Sequence, residues 1–246
     1  MTLRAVVFDV DGTLAETEET HRQAFNQAFK EHGLDWVWDR ALYRALLNVT
    51  GGRERIAAFA HSQGVEVDTA TLHAHKNDIY NNKIRSGSVE LRPGVADLIR
   101  HCRENGLVVA IGTTTSRANV YSLLEATLGQ EAGNLFASIR AGEDVKRKKP
   151  DPEVYELVLA DLKLDGPSCL CVEDSCNGLI AARAVGMRTV ITPSIYTSGD
   201  DFAGADLILR NLGQPWSSPE FNPYTSLINQ PLDVSRLLMH AARSGG

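Results

Sequence analysis

Val6-Val7-Phe8 runs directly into Asp9-Val10-Asp11-Gly12-Thr13. A short β-branched and aromatic run reads as a buried strand. This one ends on two carboxylates two residues apart, which repel each other unless something at the strand end compensates them. The arrangement recurs. Further short apolar runs at 107–111, 136–139, 169–172, 188–191 and 206–209 read as strands, most with helical patterns between them. Strands alternating with helices predict an α/β fold, a parallel sheet covered on both faces. Such sheets place ligands beyond the carboxyl ends of their strands.

Between the first two strands the periodicity changes. His21, Phe25, Ala28 and Phe29 repeat at helical spacing, as do Ala41, Leu42, Ala45, Leu46 and Leu47, then Ile56, Ala57, Phe59 and Ala60, then residues 72–84. We expect a helical insertion over 16–88, with 1–15 and 89–246 forming the sheet domain. Pro93 and Gly106 suit the start and the end of the first helix after the insertion. Helices are expected up to 128, from Pro152 to 162 with Asp151 as cap, and over 178–185 with Gly186 closing it. After Asn211 the chain is rich in Pro, Ser and Asn until 232, and a short helix is expected at 234–242.

The chain has 246 residues, enough to bury a full core without staples. Its formal net charge of -6 argues against a nucleic-acid binder held by global charge, while leaving room for a local basic pocket. The apolar run behind Met1 is too short for a signal-peptide core or a membrane span. Cys169 and Cys171 share one face of their strand and are expected to be buried and reduced. The four cysteines lack the paired spacing of a zinc site and suit a reducing compartment.

Four polar clusters fall at element ends: Asp9 and Asp11; Thr113 to Ser116; Lys146 to Lys149; and Glu173 with Asp174. Acids at two strand ends can share a hard divalent cation, and Mg²⁺ favours oxygen ligands together with substrate phosphate oxygens. Hydroxyls and N–H groups at a helix start can hold a phosphate, and a lysine adds a compact positive charge. Hydrolysis of phosphate monoesters needs acceleration of up to about 10²¹-fold, most of it from positioning and charge stabilisation.

Asp9-Val10-Asp11-Gly12-Thr13, the Thr114 region, Lys149-Pro150-Asp151-Pro152 and Glu173-Asp174 resemble, in order, the four motifs of the haloacid dehalogenase superfamily of phosphotransferases. The resemblance implies a Rossmann-like core with a C1-type helical cap inserted after the first strand. It implies that Asp9 is the nucleophile and Asp11 the general acid and then base. The Asp9 side chain, the Asp11 carbonyl and Asp174 would bind Mg²⁺, with Glu173 beside them. Lys149, Thr114 and the N–H of Thr115 would hold the phosphoryl group; Thr113 is the alternative to Thr114.

Within the superfamily, Asp9 to Glu19, Trp36-Val37-Trp38-Asp39-Arg40, Thr50-Gly51-Gly52-Arg53-Glu54-Arg55-Ile56 and Thr113-Thr114-Thr115-Ser116 resemble the CbbY proteins. That implies a phosphatase for pentulose bisphosphates, notably xylulose-1,5-bisphosphate, an inhibitor of Rubisco. It implies substrate contacts from Glu16, His21, Gly51, Gly52, Arg53, Lys76, Thr115 and Ser116. The implied partner is a small phosphorylated sugar, with no nucleic acid and no membrane. The implied setting is a bacterial cytoplasm or a plastid stroma. Two other readings are a phosphoryl transferase like β-phosphoglucomutase and a catalytically silent sugar-phosphate sensor. Gly112 and the tail from Asn211 have no role in the resemblance.

Overall fold

A computed structural model describes residues 3–213. β1 (Ala5–Phe8) is fully buried and lies in the middle of a six-stranded sheet. The others are β2 (Val108–Gly112), β3 (Ser138–Arg140), β4 (Cys169–Glu173), β5 (Arg188–Ile191) and β6 (Leu207–Ile208), in the order β3-β2-β1-β4-β5-β6. Every pairing is parallel. β1 pairs with both β2 and β4, so Phe8 lies level with Ile111 and Val172. The residues following these three strands therefore meet at one rim, where the strand order changes direction.

Strand alternation divides the core. Val6, Phe8, Leu170 and Val172 face one apolar cluster, while Ala5, Val7, Cys169 and Cys171 face another. The two strand cysteines are buried side by side, as their spacing predicts, and no disulfide joins any of the four cysteines. α5 (Val95–Glu104) and α6 (Arg117–Leu128) cover the first face. α7 (Glu153–Leu162) and α8 (Cys176–Ala184) cover the second. No helix among the described residues is long and apolar enough to cross a membrane.

Four helices precede α5: α1 (Glu18–Glu31), α2 (Arg40–Leu46), α3 (Gly52–Gln63) and α4 (Thr69–Arg85). Trp38 and Tyr43 are fully buried among Phe25 and Phe29, and Trp36 meets Phe29 and Phe59 edge-on. This aromatic cluster fills the middle of the insertion and is continuous with the apolar cluster on the first face of the sheet. We propose that 16–88 is a separate cap on a core of 1–15 and 89–246. The two connections run together, through an antiparallel bridge between Ala15 and Leu91 and a bond from Arg92 N–H to the Leu14 carbonyl (2.8 Å).

Local differences from the sequence reading have local causes. The strand expected at 136–139 begins at Ser138, because Ala132–Leu135 forms a 3₁₀ turn that Phe136 closes. The helix expected from Gly178 begins at Cys176, because the Ser175 hydroxyl accepts from the Gly178 N–H and caps it. The helix expected from Pro152 begins at Glu153 with Pro152 as its cap residue, so Asp151 stands one position before the cap, where its carboxylate accepts the Glu153 N–H at 3.1 Å. The expected helix at 234–242 lies outside the described residues.

Candidate active site

Asp9 continues the ladder of β1, its N–H donating to the Val172 carbonyl at 3.0 Å. This fixes its carboxylate over the carboxyl edge of the sheet. Lys149 Nζ is buried there and donates to Asp9 Oδ1 (2.7 Å), Glu173 Oε1 (2.7 Å) and the Gly112 carbonyl (2.8 Å). Burial alone would pull Lys149 down, but Asp9 and Glu173 reverse this and raise it above its ordinary value. Both oxygens of Glu173 are engaged. Tyr155 donates to Oε1 at 2.6 Å, and the Asp174 N–H donates to Oε2 at 3.0 Å.

Gly112 acquires a role here. A Cβ at this position would lie 2.9 Å from the Tyr155 ring, so the glycine makes room for the tyrosine that holds Glu173 against Lys149. Gly112→Ala is expected to destabilise the fold by about 1–3 kcal/mol through overpacking. It should also lower kcat by displacing Tyr155. Urea unfolding and steady-state kinetics on the same preparation would check both effects.

Asp11 turns the other way, towards the cap. Its Oδ1 accepts from the Thr17 hydroxyl (2.6 Å) and contacts His21 Nε2 (3.0 Å). His21 Nδ1 lies 2.7 Å from Lys76 Nζ and the ring stacks on Tyr80. Burial would raise Asp11, but His21, Thr17 and Lys76 outweigh it and hold the carboxyl well below the usual range. Burial and Lys76 pull His21 down, and burial brings Lys76 down to about 7. Asp11, His21 and Lys76 thus form one buried proton-sharing group.

One oxygen from each of Asp9, Glu173 and Asp174 lies within 4.8 Å of the others. Burial raises Asp9 to about 7 despite Lys149. Burial, Glu173 and Asp9 raise Asp174 well above the carboxylate range. Among the contacts described, Asp174 receives hydroxyl donors and no direct ion pair; the nearby Arg92 guanidinium acts on it only at longer range, its N–H groups being spent on backbone carbonyls. Two carboxylates short of positive charge, both acting through oxygen, fit a hard divalent ion. A cavity of 680 Å³ opens between this rim and the cap, lined on the core side by Asp9, Asp11, Thr113 to Ser116, Lys148, Lys149 and Asp174.

The haloacid dehalogenase-like hydrolase family model matches residues 6–192. Protein CbbY of Rhodobacter capsulatus is 52% identical over 215 residues, covering 86% of this chain and 95% of that protein. The chain belongs to the CbbY group of haloacid dehalogenase-like hydrolases. The crystal structure of CbbY from Rhodobacter sphaeroides in complex with phosphate superposes with a TM-score of 0.83 at 44% identity, covering 85% of this chain and 95% of that one. An aspartate-to-asparagine mutant of the same protein, in complex with xylulose-1,5-bisphosphate, superposes equally well. This CbbY-group chain is accordingly an enzyme, a phosphatase of the haloacid dehalogenase type.

Against that family frame the sequence-predicted residues divide. Asp9, Lys149, Glu173 and Asp174 come together at the rim. Thr113, Thr114, Thr115 and Ser116 all line the cavity, with Thr113 Oγ1 accepting the Thr115 N–H at 3.3 Å. On the cap side His21, Gly51, Gly52, Arg53 and Lys76 line it too. Glu16 does not. Its carboxylate pairs with Arg92 (3.4 Å) and accepts the Ile195 N–H (3.3 Å), because the chain leaving Asp11 turns Glu16 outward to the connection between cap and core.

The sequence does not separate Arg53 from Arg55. Arg55 is buried and structural, donating to the Leu46 and Val49 carbonyls, whereas Arg53 is exposed at the cavity. Tyr155, Arg92 and Thr197 escape sequence reading. Tyr155 sits at an apolar helical position, and Arg92 and Thr197 belong to no acidic or hydroxyl cluster.

Proposed function

We propose that the enzyme hydrolyses sugar bisphosphates through an aspartyl-phosphate, with xylulose-1,5-bisphosphate as substrate and xylulose-5-phosphate and phosphate as products. The observation that carries the chemistry is Lys149 bridging Asp9 and Glu173 beside an under-compensated Asp174. The substrate rests on kinship with the Rhodobacter sphaeroides protein and on a cavity long enough to span from the rim to Arg53. Clearing a Rubisco inhibitor is the physiological role this implies.

In the first step an Asp9 carboxylate oxygen attacks phosphorus, the bond from phosphorus to the sugar oxygen breaks, and the leaving oxygen takes a proton from Asp11. His21, Thr17 and Lys76 hold the Asp11 carboxyl low, and the proton it delivers is shared with His21, whose Nε2 lies 3.0 Å away. In the second step Asp11 takes a proton from water, which attacks the phosphorus and frees Asp9. Lys149, Thr114 or Thr113, and the Thr115 N–H hold the phosphoryl oxygens. Asp9, the Asp11 carbonyl and Asp174 would hold Mg²⁺, which supplies positive charge where the phosphoryl group gathers negative charge. Glu173, fully engaged with Lys149 and Tyr155, sets the position of Lys149 rather than facing the ion. His21, Gly51, Gly52, Arg53, Lys76 and Ser116 would meet the sugar and its second phosphate.

The test is phosphate release from a panel containing xylulose-1,5-bisphosphate and ribulose-1,5-bisphosphate, with Mg²⁺ and with EDTA. Selectivity for the xylulose compound and loss of turnover in EDTA are expected. Equal rates on both bisphosphates would undo the substrate assignment, since such an enzyme would destroy Rubisco's own substrate. Conversion of β-glucose-1-phosphate to glucose-6-phosphate without free phosphate would favour the mutase reading. Silence across the panel would favour a sensor.

A further inference from the structure

The segment 192–197, directly after β5, touches the rim from below and the cap from above. On the rim side the Thr192 N–H extends the ladder to the Glu173 carbonyl at 2.8 Å. Ser194 and Thr197 then clasp each other. The Ser194 N–H donates to Thr197 Oγ1 (2.9 Å), the two hydroxyls meet at 2.9 Å, and the Thr197 N–H donates to Ser194 Oγ (3.3 Å). The Thr197 hydroxyl donates to Asp174 Oδ2, 3.1 Å away, and the Ser194 hydroxyl lies against the same carboxylate. Both side chains are buried.

On the cap side, the contacts land on the two residues between that pair. Arg44 of α2 donates to the Ile195 carbonyl at 2.6 Å, and the Ile195 N–H donates to Glu16 at 3.3 Å. Tyr196 packs edge-on against Tyr43 of α2, with ring centroids 5.5 Å apart, and its hydroxyl donates to Glu19 of α1. The base of the segment is pinned independently. Arg92 donates to the carbonyls of Thr192 (2.6 Å), Pro193 (2.9 Å), Arg210 (3.2 Å) and Gly12. The base is therefore fixed to the core, while the middle, apart from a long bond from the Ser198 hydroxyl to the Ile195 carbonyl (3.4 Å), takes its contacts from the cap.

We propose that 192–197 is a positioning element that couples cap closure to Asp174, with Thr197 as its contact on the carboxylate and Arg44 and Tyr196 as its contacts with the cap. It acts on the Mg²⁺ site through Asp174; because Arg44, Tyr196 and Thr197 also line the cavity, its effect on the ion is read in the absence of substrate. Closing the cap seats Ile195 and Tyr196, which holds Thr197 on Asp174. Linkage makes the effect reciprocal: an ion that fixes Asp174 favours the closed cap by the same factor. The inference rests on the assignment of Asp174 to Mg²⁺ made above.

Calorimetric titration of Mg²⁺ into the full chain, without substrate, tests it. Thr197→Val keeps the shape and removes the hydroxyl, and is expected to weaken Mg²⁺ binding by about 10-fold, as loss of an outer hydrogen bond to a ligand does. Arg44→Ala and Tyr196→Phe lie on or against the cap, and each is expected to weaken it by about five-fold. Gln27→Ala, exposed on α1, serves as the control and should bind as wild type does. In hydrogen exchange, Mg²⁺ should protect 40–47 in wild type and fail to do so in Arg44→Ala. Circular dichroism confirms that each variant is folded. If Arg44→Ala and Tyr196→Phe bind Mg²⁺ within two-fold of wild type, the coupling is wrong while the metal assignment stands. If Asp174→Asn binds Mg²⁺ as wild type does, or wild type binds none, the metal assignment falls and the coupling with it.

Discussion

Asp9→Asn is expected to lower turnover by about 10⁴-fold or more, the scale of losing a catalytic nucleophile. The substitution is close to isosteric, so the backbone anchor at Val172 remains. What is lost is an anionic oxygen positioned at the sheet edge, 2.7 Å from Lys149. Asp11→Asn is expected to fail differently and by less, about 10²–10⁴-fold, because it removes proton transfer rather than bond formation. Asp11 points away from the rim into the Thr17 and His21 contacts, so its loss leaves Asp9 and Lys149 in place.

A substrate with a weakly basic leaving group, such as p-nitrophenyl phosphate labelled with ³²P, separates the two. Asp11→Asn should still form the phosphoenzyme and then stall, leaving label on the protein after acid quench. Asp9→Asn should leave none. Full turnover in Asp9→Asn, or label on it equal to that on Asp11→Asn, would remove Asp9 from the nucleophile's role.

The core was legible because parallel strands buried on both faces must be short, apolar and β-branched, and the sequence places polar clusters where they end. Order along the chain then became proximity in space through the sheet: Asp9 is more than a hundred residues from Glu173 and Asp174 and adjoins them because β1 and β4 pair in register. The outer ring of support was not legible. Nothing in a helix beginning at Glu153 marks Tyr155 as a donor to Glu173, and Gly112 reads as an ordinary strand-end glycine until that ring is placed beside it.

Glu16 sits apart from the cavity lining for a related reason. Nearness in sequence to Asp11 suggests nearness to substrate, but the bridge at Ala15 turns the chain, and the carboxylate meets Arg92, an arginine 76 positions further along. Cap residues lie between these extremes. Helical spacing locates His21 and Lys76 on their elements, yet only the packing of α1 against α4 brings the imidazole and the ammonium to 2.7 Å.

Lys149→Met is expected to cost both activity and stability, for one electrostatic reason. Lys149 is the fixed cation bonded to Asp9 and Glu173, and Asp174 lies within the same 4.8 Å group of oxygens. Methionine fills a similar volume but leaves those carboxylates buried without it. Removing one partner of a buried ion pair typically costs about 3–5 kcal/mol. In a domain of this size that corresponds to a fall in Tm of roughly 10 °C. Turnover should fall by about 10³-fold if, as proposed, this buried positive charge also stabilises the phosphoryl group.

Lys149→Arg should restore little. The ammonium meets three acceptors at 2.7–2.8 Å, above the Tyr155 ring, and a planar guanidinium cannot converge on them in that space. Added Mg²⁺ should recover part of the lost Tm in Lys149→Met, because the ion stabilises the same carboxylates by mass action, but it should recover little of the lost rate. Scanning calorimetry with and without Mg²⁺, beside kcat measured at saturating Mg²⁺, separates these two roles. A Lys149→Met protein that melts with wild type and turns over within ten-fold of it would mean that neither role belongs to Lys149.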